Sequence, residues 1–120
     1  MSMPIRAAIL FAAVFACLPA QAQYLGLGLE TNIELTRHDL DLIRQTVDTQ
    51  VHGKPVGAKA HWSNSDSGNY GKIELIKKFT QGGQACETIT YTVATKRLPV
   101  RPEHYMLNSC LQPDGHWRII

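Results

Sequence analysis

An excess of charge of one sign is what this sequence most conspicuously lacks. Twelve Lys and Arg residues face ten Asp and Glu, so the formal net charge is only +2. That excludes a strongly basic nucleic-acid binder, and equally an acidic solvating tail. Charged residues make up 18% of the chain and hydrophobic ones 44%, too apolar for intrinsic disorder. At 120 residues there is room for one small domain, not for a dinucleotide-binding unit with a substrate domain or for a barrel enzyme. Motif spacings for catalysis are also missing: there is no G-x-S-x-G elbow and no H-E-x-x-H or H-x-x-x-H pair. No apolar run reaches the roughly twenty residues that a membrane-crossing helix needs.

The longest apolar run is Ala7 to Leu18, which follows Arg6 and ends at Pro19. Positive residue, short apolar run and the small-x-small triplet Ala20-Gln21-Ala22 occur in the order of a secretory signal peptide. Residues 1–22 are therefore read as a signal peptide cleaved after Ala22. Cys17 near the end of the run is a candidate lipidation site, but Phe15 stands where a lipobox requires a small residue. Soluble export is the expectation, to the periplasm or an outer-membrane-associated location.

Cleavage leaves two cysteines, Cys86 and Cys110, in an oxidising compartment, and they are expected to form one disulfide. Closing a loop of that length stabilises a small domain by about 3.5 kcal/mol on the chain-entropy estimate.

Along the mature chain, residues 23–35 alternate Gly with Leu at their start and read as a flexible arm. Thr36 followed by Asp39 resembles a capping box. Leu40, Ile43, Val47 and Val51 then recur on one stripe, and Gly53 and Pro55 forbid continuation. One amphipathic helix is predicted over Arg37 to His52. Strands are predicted over Val56 to Ser63, Lys72 to Thr80, Ala85 to Thr95, His104 to Leu111 and His116 to Ile120. They are separated by Asn64 to Gly71, a dense turn composition; by Gln81-Gly82-Gly83-Gln84, a tight hairpin; by the Pro-containing loop Lys96 to Glu103; and by Pro113-Asp114-Gly115. The expected fold is α+β over residues 36–120: one N-terminal amphipathic helix packed on an antiparallel meander of about five strands, with one disulfide.

The second half carries a resemblance. Trp62-Ser-Asn64-Ser-Asp66-Ser67-Gly68-Asn69-Tyr-Gly71 is similar to the W-x-N-x-x-S-G-N-x-G stretch of the rickettsial seventeen-kilodalton surface antigen family. Cys86 in a Thr-rich strand follows, and then Cys110-Leu-Gln-Pro-Asp114-Gly115-His-Trp117, similar to that family's C-R-x-x-D-G-x-W close. The resemblance covers residues 56–120. It implies a small bacterial outer-membrane or surface protein and carries over no catalytic residue. The only glycine-rich apolar stretch here, Leu25 to Leu29, is far shorter than the membrane segment that precedes this domain in the family.

Each residue set has a structural reading and a functional one. Asn64, Gly68, Asn69 and Gly71 tolerate turn conformations, Asp66 and Ser67 bond nearby amides, and Trp62 and Trp117 fill a small core or wall a groove. The second reading makes this loop a recognition site. Lys96, Arg97 and Arg101 form a candidate basic patch, with Lys77 and Lys78 on a nearby strand, suited to anionic envelope glycans. The scattered histidines His61, His104 and His116 would hold a metal only if a sheet brought them together. No catalytic, metal or cofactor site is expected. Asp39 and Asp41, two apart on a helix, do not face each other as an acid/base pair would.

The function expected is that of a non-enzymatic cell-envelope protein with a structural or interaction role. The alternative is a soluble periplasmic binding or inhibitor module whose loops recognise a protein or a glycan. Envelope proteins or anionic glycans are the expected partners, and nucleic acid is not.

Overall fold

The computed structural model describes residues 32–120. The signal peptide, Cys17 and most of the 23–35 arm lie outside the described residues. Residues 32–35, at the end of that arm, pack on the domain. Ile33 is buried, the Asn32 amide donates to Glu103, and the Glu34 carbonyl accepts from the Asn69 side chain.

Helix α1 runs Arg37–Gln50. Thr36 caps it in extended conformation, and the capping box is complete: Thr36 Oγ1 accepts from the Asp39 amide at 3.0 Å, and Asp39 Oδ2 from the Thr36 amide at 2.8 Å. The stripe Leu40, Ile43 and Val47 faces inward, joined by Val51 just beyond the helix. The helix stops two residues before the expected His52. The amides of Val51 and His52 both turn onto the Val47 carbonyl, and Gly53 then takes a φ of +79°.

Five strands follow, β1 (Lys59–Asn64), β2 (Asn69–Gln81), β3 (Gln84–Thr95), β4 (Glu103–Leu111) and β5 (Trp117–Ile119). They form one antiparallel sheet in the order β1-β2-β3-β4-β5, a meander. Two expectations change. Asn69, Tyr70 and Gly71 belong to β2, because the turn needs only Ser65–Gly68, with Gly68 at φ +80°. The imperfect alternation in Lys72 to Thr80 is a bulge between Leu75 and Lys77, which turns Ile76 out to solvent. The predicted hairpin is present, with both Gly82 and Gly83 at positive φ.

The register sorts the sheet into two faces. On the helix side Trp62, Ile73, Leu75, Ile89, Tyr91 and Val93 make the core with the α1 stripe. The other face carries Cys86 and Cys110 as direct cross-strand partners, joined by the expected disulfide. Among the described residues no helix is long and apolar enough to cross a membrane.

Candidate functional site

The Trp62–Gly71 motif folds around one carboxylate. Asp39 has no exposed surface and accepts four hydrogen bonds. Beside the Thr36 amide, its donors are Asn64 Nδ2 at 2.8 Å, Ser67 Oγ at 2.7 Å and Asn69 Nδ2 at 2.8 Å. Asn64 and Asn69 are cross-strand partners at the ends of β1 and β2, so the turn between them presents all three donors to the helix start. Burial pushes the Asp39 carboxyl upward, but the bonds from Thr36, Ser67, Asn69 and Asn64 outweigh it and hold it below its usual range.

The remaining motif positions shape this cup. Asn64 Oδ1 accepts from the Asp66 amide, an Asx turn, and Ser67 Oγ accepts from the Asn69 amide. Trp62 pairs with Gly71 across β1 and β2. A Cβ at Gly71 would collide with the Thr92 carbonyl oxygen and the Trp62 indole nitrogen, so the glycine is the space that the indole occupies. The indole Nε1 is buried and has no hydrogen-bond partner. The same residues that suggest a recognition loop are thus engaged in joining helix to sheet.

Next to the cup, the loop after β3 and the segment entering α1 enclose a cleft of about 600 Å³. Ile33, His38, Asp66, Arg97 and Leu98 line it. Arg97 lies over Gly68 and donates to the Asp66 carbonyl at 2.6 Å; His38 Nδ1 is 3.9 Å from the Asp66 carboxylate. The basic residues of that loop engage different neighbours: Lys96 reaches the ring of Tyr70, 5.9 Å from its centroid, while Arg101 is exposed. Lys77 and Lys78 pair with Thr88 and Glu87, toward the disulfide end of the sheet, away from Lys96, which follows Thr95 at the other.

A second carboxylate, which sequence reasoning missed, meets the other end of α1. Glu87 is buried on the helix side of β3. Its Oε1 is 2.7 Å from His52 Nδ1, and its Oε2 accepts from the Gly53 amide at 2.9 Å. His52 Nε2 is 3.7 Å from Asp48, and the ring stacks on Trp117, centroids 4.6 Å apart and planes 2° off parallel. Trp117 therefore belongs to this end, not to the cup. Burial, together with Asp48 and Glu87, pushes the Tyr91 hydroxyl above its ordinary value of 10. One signal was present in the sequence: Glu87 falls in phase with Ile89, Tyr91 and Val93, and an inward charge requires a partner.

Both carboxylates brace the helix against the sheet. Ser67 faces Asp39 rather than a histidine. His61 and His104 lie on one cross-strand row but three strand spacings apart, about 14 Å, with Lys72 and Thr92 between them. His116 lies outside that row, just before β5. Asp41 is exposed while Asp39 is buried. Among the described residues no three His, Cys, Asp or Glu side chains are grouped to hold a metal.

No family model and no solved structure matches the chain. It is similar to the 17 kDa surface antigens of Rickettsia conorii and Rickettsia rickettsii, each 30% identical over 87 residues, 72% of this chain and 53% of theirs. The 17 kDa surface antigen of Rickettsia prowazekii is 30% identical over 83 residues, 68% of this chain and 50% of its own. The chain spans about half the length of these curated relatives. The chain that carries both cysteines, both tryptophans and the Asp39 cup is thus distantly similar to the rickettsial 17 kDa surface antigens.

Proposed function

We propose that this chain is an exported, non-enzymatic cell-envelope protein of the surface-antigen type, periplasmic or associated with the outer membrane, with a structural or interaction role. The observation that carries the reading is the Cys86–Cys110 disulfide within a domain related to surface antigens. Disulfides persist in the periplasm and at cell surfaces and are rare where glutathione keeps thiols reduced. The order of charge, apolar run and Ala20-Gln21-Ala22 in the sequence supports export. A scaffold role is supported by Asn64, Ser67 and Asn69, whose side chains are engaged with Asp39 at the helix start.

Intact mass of the chain from separated envelope fractions, with and without reductant, tests the reading. A species beginning at Gln23 that gains two hydrogens on reduction is the expected result. A reduced chain in the cytoplasmic fraction overturns it, and a species beginning at a lipid-modified Cys17 makes the protein an anchored lipoprotein.

The cleft beside the cup favours a second reading, a soluble periplasmic module that binds a protein or glycan through its loops. Crosslinking from Leu98, 54% exposed at the cleft rim, distinguishes the two. Recovery of one defined partner supports the module, and the absence of any supports the scaffold.

A further inference from the structure

The sheet face turned away from α1 has a composition unlike the rest of the surface. Lys59 on β1, Lys72 and Lys77 on β2 and Arg118 on β5 all share it by register, and all are exposed. His61 and His104 lie on the same face. Glu74 is the one carboxylate among the described residues of these strands that shares it. The outward side of α1, by contrast, is balanced: Arg37 and Arg44 alternate with Asp41 and Asp48. The three ion pairs among the described residues all use histidine, and none involves the four open-face cations.

We propose that this open face is a docking surface for the anionic headgroups of a lipid membrane. The proposal rests on the envelope reading for its compartment, and it gives that reading a point of contact. From β1 to β5 the cations spread over four strand spacings, about 19 Å, so they cannot converge on a single phosphate. A plane of many negative charges engages all of them at once. Two further residues on the face favour a bilayer over a soluble polyanion. Met106 is 65% exposed and Tyr70 40% exposed, one apolar and one amphipathic side chain, and an interface accommodates both. Lys96, held against the Tyr70 ring, adds a cation at the rim.

The test is flotation of the full oxidised chain with vesicles of phosphatidylcholine, with and without phosphatidylglycerol, at low and high salt. Binding is expected only with phosphatidylglycerol, and is expected to vanish at high salt. Each cation removed should weaken partition about fivefold, the equivalent of about 1 kcal/mol near an anionic surface. Lys72→Gln with Arg118→Gln should therefore lower it about 25-fold, and Lys59→Gln with Lys77→Gln should do the same if the first pair disturbs folding. Arg37→Gln with Arg44→Gln should leave it unchanged. The variant lacking all four cations, Lys59→Gln, Lys72→Gln, Lys77→Gln and Arg118→Gln, measures the partition due to residues 1–22, which is subtracted from every value.

Equal binding to both vesicle types overturns the proposal, as does an equal loss in the helix-face variant. Charge-dependent binding to soluble polyphosphate without vesicle binding overturns it in favour of a polyanion site. A chain that fractionates with the envelope yet ignores anionic vesicles refutes this docking surface and leaves the envelope reading standing.

Discussion

At the start of α1, Asp39 accepts four hydrogen bonds; at its end, Glu87 meets two groups, the His52 ring and the Gly53 amide. The roles are reversed between the two. At the first end the acid belongs to the helix, and the first two strands with the turn between them supply three of the four donors; at the second the acid belongs to the sheet and the segment leaving the helix supplies the partners. The first end surrounds a charge with neutral donors, so its strength depends only on the ionisation of Asp39. The second pairs a carboxylate with an imidazole and a backbone amide. One small sheet thus holds its helix by two different devices.

This contrast can be broken most forcefully by removing each acid in turn. Asp39→Ala strands Asn64, Ser67 and Asn69 as buried polar groups and should cost about 4 kcal/mol. Glu87→Ala has fewer bonds to lose and should cost about 2 kcal/mol. Urea unfolding of both variants ranks the ends, and a larger loss at Glu87 would reverse the order argued here. Opening the disulfide with Cys86→Ser and Cys110→Ser acts beside Glu87 and should cost about 3.5 kcal/mol if chain entropy dominates. Gly71→Ala forces a methyl into the Thr92 carbonyl and the indole, and should cost about 3 kcal/mol, read as a lowered melting temperature.

A finer distinction comes from acid. Because the Asp39 carboxyl is held below its usual 3.8 in the folded state, its contribution is fully present above that value. It is lost as pH falls through the lower folded value. Wild-type stability should therefore drop below pH 3.8 more steeply than that of Asp39→Asn, and parallel pH profiles would show that Asp39 is not the responding group. The smallest effect expected is that of Thr36→Ala, about 1 kcal/mol, since it removes the cap acceptor but leaves the cup donors in place.

These two ends also differ in how plainly the sequence announces them. Thr36, Asp39 and the Leu40–Ile43–Val47 stripe predict the helix start because capping and periodicity are local. Gly82-Gly83 predicts its hairpin for the same reason, and the pair follows from Cys86 and Cys110 being the two cysteines outside the N-terminal apolar run. The motif from Trp62 to Gly71 is recognisable as a unit, but its purpose depends on Asp39, which precedes Trp62 by 23 positions. Asn69 to Gly71 reads as turn because Asn and Gly are turn formers; in the sheet, Asn69 is chosen for its amide and Gly71 for its lack of a side chain. Glu87 and His52 are less legible still. Glu87 is marked only by its phase with Ile89, Tyr91 and Val93, and His52 looks like an ordinary surface residue until the register of β3 and the end of α1 place them together.

The stack of His52 on Trp117 joins the segment leaving the helix to the last described strand. A chain synthesised from its N-terminus can close the Asp39 cup once residue 69 has emerged, but it lacks the Glu87 contact until β3 is present and the aromatic lid on that contact until Trp117 is present. The helix is therefore fastened at its start before its far end. Removing the Trp117 ring takes away the stacked lid but leaves Glu87 on His52 and on the Gly53 amide.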